Sequence, residues 1–323
     1  RLGSSNRIIT WALVTLSIAL IARAFTGLVG LFVFTFLMGI SIAIMNYEIP
    51  AWVKEHAPDS SGLLTGVYVT IMGGAGAISV ATSVPLAENS SLSWRMAMLP
   101  WMFLAVITSI YWLVKMRDRG GVTISKSAPF WRSKAFKNPI AWALVFFFGF
   151  ESMTFYATAT WFPSLLITKD FTLSQAALAV SISGVIGSAV GLAAPHYLSM
   201  IEDKRLVLTI IALISGFSFF MFTVQSGAIL FLWLCTSNIG ISIAFPTALL
   251  LCGIKSDSPE ATRNMSTMMQ SLGYIISACG PVLMGSLYER TSSWSVAMYG
   301  VVAMSFMQLL MGLVVGKPSK IEY

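Results

Sequence analysis

Ten long apolar runs dominate this 323-residue sequence, at approximately 8–25, 28–45, 63–86, 96–114, 140–167, 176–197, 206–224, 229–254, 265–287 and 296–315. About 20 apolar residues, each rising 1.5 Å as helix, cross a hydrocarbon core of roughly 30 Å. An open strand edge would leave backbone groups unsatisfied in lipid, and a barrel strand would alternate polar with apolar residues. The run at 206–224 shows no such alternation. The expectation is an all-α membrane protein with ten transmembrane helices, multi-pass in the cell membrane.

Composition removes the competing classes. Hydrophobic residues make up 56% of the chain and charged residues 10%, whereas a soluble domain carries about 25% charged residues. Cys235, Cys252 and Cys279 lie in apolar runs with no CxxC pair, and His56 and His196 are isolated. Neither a disulfide framework, a zinc site nor another cofactor is expected. A membrane-embedded enzyme would need a cluster of His, Asp or Glu at one membrane face, and none is present. The net charge of +7 does not signal nucleic acid, because the basic residues sit between apolar runs.

Those basic residues set an orientation. With the N-terminal segment on the cytoplasmic side, 16 Lys and Arg fall in cytoplasmic positions, leaving Arg23, Arg95, Lys169 and Arg290 outside. A bias of this size fixes topology and supports an even number of spans. The longest polar stretch, 115–137, is basic and contains Gly120-Gly121 and Pro129. It reads as a cytoplasmic linker between a bundle at 1–114 and a second bundle at 138–323. A weak echo crosses it. Ile49-Pro50 closes one span and is followed by a polar turn and Gly73-Gly74-Ala75-Gly76, while Phe245-Pro246 is followed by Ser256-Asp257-Ser258 and Gly273. Parallel repeats of this kind occur in two-bundle transporters.

Three stretches carry a family resemblance: Ile49-Pro50-Ala51-Trp52-Val53-Lys54 with Thr65-Gly66-Val67-Tyr68; Tyr156 with Trp161-Phe162-Pro163; and Met269-Gln270-Ser271-Leu272-Gly273-Tyr274 with Gly280-Pro281. Together they resemble the major facilitator superfamily, and within it the branch of cyanate permeases and 2-nitroimidazole transporters. The resemblance implies two six-helix bundles, so the four plus six spans here match helices 3–6 and 7–12, with the first two helices lacking. Arg1-Leu2-Gly3-Ser4-Ser5-Asn6-Arg7 is similar to the tail of the superfamily's cytoplasmic gating loop. Asp203 and Arg205, in the short charged loop Glu202-Asp203-Lys204-Arg205, stand where that loop recurs in the second half. The implied activity is secondary transport of a small polar or anionic solute by alternating access, with a proton as candidate co-substrate. The alternative is a non-transporting scaffold, sensor or truncated fragment that keeps the fold. The expected partners are the solute, protons and the bilayer, and an oligomer is not required.

Glu151 is the most pointed candidate. A carboxylate at mid-bilayer is costly, about 2.5–3.5 kcal/mol on insertion scales, and Glu151 lies about 11 residues into its run, hence roughly 16 Å deep. Phe147, Phe148, Phe150, Phe155 and Tyr156 surround it in sequence and disfavour its charged form. It is the only acid well inside an expected span, fitted to proton coupling or solute contact, or else simply buried by hydrogen bonds. Arg23 either snorkels to the headgroups or, as the resemblance implies, faces inward to attract an anion. Arg95, after Trp94, reads as an interfacial anchor or gate. Asn238 and Gln270 can donate and accept hydrogen bonds to a polar solute, or between helices. Asn46, Tyr68, Tyr156, Trp161 and Tyr274 complete the candidate path. Gly187 and Gly191 form a GxxxG pair that permits close helix approach.

Overall fold

The computed structural model describes residues 5–57, 61–115, 134–257 and 259–319. Among these residues all regular structure is helical: α1 (Ser5–Phe25), α2 (Leu28–His56), α3 (Ser61–Glu88), α4 (Trp94–Lys115), α5 (Pro139–Ile167), α6 (Leu173–Ser199), α7 (Arg205–Val224), α8 (Leu230–Ile254), α9 (Pro259–Thr291) and α10 (Trp294–Val315), with short 3₁₀ turns at Lys134–Lys137 and Gly227–Ile229. All ten are long and apolar enough to span a bilayer. Residues 1–4 of the gating-loop resemblance, 116–133 of the expected linker, and Asp59, Ser60 and Ser258 of the two polar turns lie outside the described residues.

One helix runs further than expected. The apolar span ends at Asn46, just before Ile49-Pro50, but α2 continues through that pair to His56. The extension is held in place by Trp52, whose indole N–H donates to Asn6 Oδ1 at 2.6 Å and whose ring stacks on His56 at 4.2 Å. The same extension buries Glu48, 6% exposed, just beyond the apolar span at Leu28–Asn46.

The chain divides into two compact units, residues 1–72 with 81–126 and residues 73–80 with 127–323. In the first, α1 packs against α2 and α4. Leu20, Ala24 and Met102 form its apolar centre, and Ser17 and Ser109 share a buried hydroxyl hydrogen bond of 2.8 Å.

The second unit is built from close helix pairs. The α6–α8 pair uses the glycine spacing seen in the sequence. A Cβ at Gly187 would lie 2.7 Å from the Asn238 carbonyl oxygen, and one at Gly191 would strike the Ser242 carbonyl. The α5–α9 pair works the same way: Gly273 receives the Phe148 ring and Gly280 lies against the Met153 carbonyl. Seven residues are two helical turns, so both glycines present one face to α5. Asn138 caps α5, its Oδ1 accepting from Ile140 N at 2.9 Å, and Pro139 occupies the first turn, where its missing N–H is no loss. Thr172 and Gln175 close a capping box on α6. The 73–80 stretch of α3 joins this unit through Ser181 Oγ, which donates to the Ala77 carbonyl at 2.6 Å.

Two apolar clusters fill the ends of the second unit. Leu144, Phe147, Phe148, Leu208 and Val315 belong to one; Ala157, Phe162, Phe219, Phe222 and Val301 belong to the other. Between them the buried side chains turn polar, with Glu151, Thr154, Ser215, Ser305 and Gln308 all at most 5% exposed.

Candidate functional site

Glu151 sits in that middle layer, 2% exposed. Its one hydrogen bond among the described residues comes from the neighbouring Ser152 hydroxyl, 2.9 Å from Oε2. Of the aromatics expected around it, Phe147 and Phe148 are buried, whereas Phe155 and Tyr156 are 43% and 42% exposed. Helical spacing explains the split. Phe147, Glu151, Thr154, Thr158 and Phe162 recur every three or four residues and share one face, while Phe155, Tyr156, Ala159 and Thr160 form an open face. Glu151 therefore belongs to the side of α5 that packs inside its own unit, and Tyr156 to the side that does not. Tyr156 meets Phe155 edge-on at 5.2 Å.

The other candidates in this unit mostly connect helices. Asn238 Nδ2 donates to Ser183 Oγ on α6 and to the Leu234 carbonyl, each at 3.1 Å. Trp161 Nε1 donates to the Pro281 carbonyl on α9 at 2.8 Å, and its ring fills the space at Gly285. Tyr274 meets Phe148 edge-on at 5.2 Å. Gln270 Nε2 donates to Ser266 Oγ, one turn earlier on α9, at 2.9 Å. Asn238 and Gln270 each keep amide capacity beyond these bonds and are only partly buried.

In the first unit Tyr68 and Asn46 are brought together, the phenol donating to Asn46 Oδ1 at 2.7 Å. Arg23 has no carboxylate partner among the described residues: Nη1 approaches Met38 Sδ at 3.8 Å, and its buried Nε has no acceptor. Arg95 Nε donates to the Ala24 carbonyl near the end of α1 at 2.6 Å, and its guanidinium lies 4.7 Å from the centre of the Trp94 ring.

Outside the spans, Arg205 donates from both its backbone N and its Nε to Asp203 Oδ1, at 3.1 and 2.9 Å. These bonds hold the Asp203 carboxyl down at about 2. Lys255 is buried just past α8, its ammonium donating to the carbonyls of Lys317 and Ser319 at 2.9 and 3.1 Å. Burial and the charge of Lys204 push its pKa below the usual lysine range.

Sequence reasoning missed Thr154 and Gln308. Thr154 Oγ1 is buried without a partner among the described residues, and Gln308 is the only side-chain amide in α10. That singularity in an apolar span was the available signal.

A family model described as Major Facilitator Superfamily matches residues 1–281. The chain is 29% identical over 294 residues to the 2-nitroimidazole transporter of Escherichia coli (strain K12), an alignment covering 89% of this chain and 73% of that protein. It is 22% identical over 258 residues to the cyanate transport protein CynX of the same organism, covering 79% and 66%. Among solved structures, a bacterial homolog of the human lysosomal transporter Spinster, inward-facing and occupied, superposes with a TM-score of 0.73 at 12% identity over 95% of this chain and 81% of that one. The last likeness carries the fold alone. With the ten apolar helices and the match over most of its length, this multi-pass membrane chain belongs to the Major Facilitator Superfamily.

Proposed function

We propose that the protein carries a small polar or anionic solute across the membrane by alternating access, with Glu151 taking up and releasing a proton during the cycle. The observation that supports this most is a carboxyl group deep in an apolar span, 2% exposed, accepting, among the described residues, from only the adjacent serine. A buried carboxylate costs several kcal/mol unless it is paired, so a family of transporters gives such a group its natural use. The relatives' names make 2-nitroimidazole and cyanate the first solutes to try. Arg23, with a buried Nε lacking an acceptor, gives an anion a place to bind in the first unit. Asn238, Gln270, Asn46, Tyr68, Tyr156, Trp161 and Tyr274 stand as the solute path, and Arg95, Asp203 and Arg205 as gating or interfacial groups.

The test is uptake into proteoliposomes holding the purified chain, across a panel of cyanate, nitrate and 2-nitroimidazole. Saturable uptake of at least one, absent from protein-free liposomes, is the expected result. No uptake of any panel member would count for the scaffold alternative.

A further inference from the structure

The face of α5 that carries Glu151 has a counterpart on α10. Val301, Ser305, Gln308, Gly312 and Val315 recur at helical spacing and are all buried. The two helices run antiparallel: Val315 of α10 clusters with Leu144 and Phe147 near the start of α5, and Val301 clusters with Ala157 and Phe162 near its end. A Cβ at Gly312 would touch the Phe147 ring at 3.5 Å. One turn further along α5 from Phe147 is Glu151, and one turn back along α10 from Gly312 is Gln308, so the two stand at the same level.

Both have unused hydrogen-bonding capacity. Gln308 is 5% exposed and its amide has no hydrogen-bond partner among the described residues. Thr154, on the Glu151 face, also leaves its hydroxyl unpaired. Ser305, in contrast, is satisfied by the Val301 carbonyl at 3.2 Å. Of these groups only the Thr154 hydroxyl is sealed without a partner among the described residues, and the Gln308 amide is not, so a carboxyl and an amide with open capacity at one level of one seam suit a bridging water.

We infer that Gln308 is the positioning residue for Glu151, its amide donating to the carboxylate across the α5–α10 seam through one water. The proton site thus lies inside the C-terminal unit and not on the open face that carries Tyr156. This rests on the proton-carrying reading of Glu151. No other strong charge competes there. The acids, bases and histidine of α6, α9 and α10 lie in their end turns or are absent, and α8 has none. Tyr274 of α9, against Phe148, and Tyr156 of α5 itself are the titratable groups in the middle turns around it. Cys252 of α8 is buried in the cluster of Phe147 and Phe148, its thiol donating to Met269 Sδ; Cys279 of α9, beside Gly280 and so near the level of Met153, is exposed, and Cys235 of α8 is partly buried.

An amide N–H stabilises a carboxylate more than it stabilises the neutral acid, because the charge-assisted bond is the stronger one. Infrared titration of the purified 323-residue chain reads this directly. The carboxylic C=O band missing from Glu151→Gln is assigned to Glu151, and its appearance is followed against pH. In Gln308→Met, close in volume but without the amide, the midpoint should rise by about one pH unit, and the band should move to higher wavenumber as the acid loses its partner. Ser305→Ala should leave both unchanged. A Glu151 band whose midpoint and frequency are the same in Gln308→Met overturns the assignment. If the band instead behaves as described while uptake ignores pH, it is the coupling reading that fails and the seam that stands.

Discussion

Helices α2 and α5 are both 29 residues long and both carry an apolar span, yet they use that apolarity differently. In the span windows, 11% of α2 is buried inside the protein against 67% of α5. The large apolar residues of α2, such as Phe32 and Phe36, are 69% and 71% exposed, while α5 buries Glu151, Ser152, Thr154 and Thr158. In water the more buried helix would be the more apolar one. In lipid, acyl chains solvate leucine as well as protein does, so packing is marked by small and polar residues instead. Hydropathy reports insertion; glycines and hydroxyls report which face meets protein.

The largest expected effect tests this contrast at two glycines. Gly191→Leu forces a side chain into the Ser242 backbone and should cost about 3 kcal/mol or more, seen as lost folded yield or a collapsed unfolding temperature in detergent. Gly39→Leu on α2, where nothing lies within 4 Å, should be neutral or slightly stabilising through helix propensity, by up to about 1 kcal/mol. Equal damage at both sites would break the comparison.

Next in size is the α5–α9 tie. Trp161→Phe keeps an aromatic ring but removes the donor to the Pro281 carbonyl, and should lower stability by about 1 kcal/mol in a denaturant or thermal series. Asn238→Leu, which takes the bond from Ser183, should cost about 0.6 kcal/mol, the average for interhelical hydrogen bonds in a membrane.

The span count and the close-approach face of α6 were legible from residue order alone, because run length and GxxxG spacing act locally; that α8 is the helix received there was not. The helical continuation of α2 past Pro50 was not, since it depends on Trp52 reaching Asn6, 46 positions away. The candidate site was legible as a set of residue types and illegible as an arrangement. Helical spacing separates Glu151 from Tyr156 on α5, but nothing in the order of residues reveals which of the two faces meets protein, or that Gln308 arrives at the level of Glu151. Those facts depend on the register between helices far apart in sequence, set by where Gly273, Gly280 and Gly312 admit their partners.

The smallest effect belongs at the surface. The Asp203 carboxyl is held at about 2 by Arg205, below its unfolded value near 4. Its contribution is therefore complete above about pH 4 and lost as pH falls toward 2. Because the pair is exposed, Asp203→Asn should leave unfolding at neutral pH unchanged within error. A large shift there would mean the loop does more than hold its own turn.

The most direct test of the central claim is solute uptake into proteoliposomes under an imposed inward proton gradient, comparing the parent chain with Glu151→Gln. The account predicts that the gradient accelerates uptake by the parent and leaves Glu151→Gln insensitive to pH. An equal response of both proteins to the gradient would contradict it.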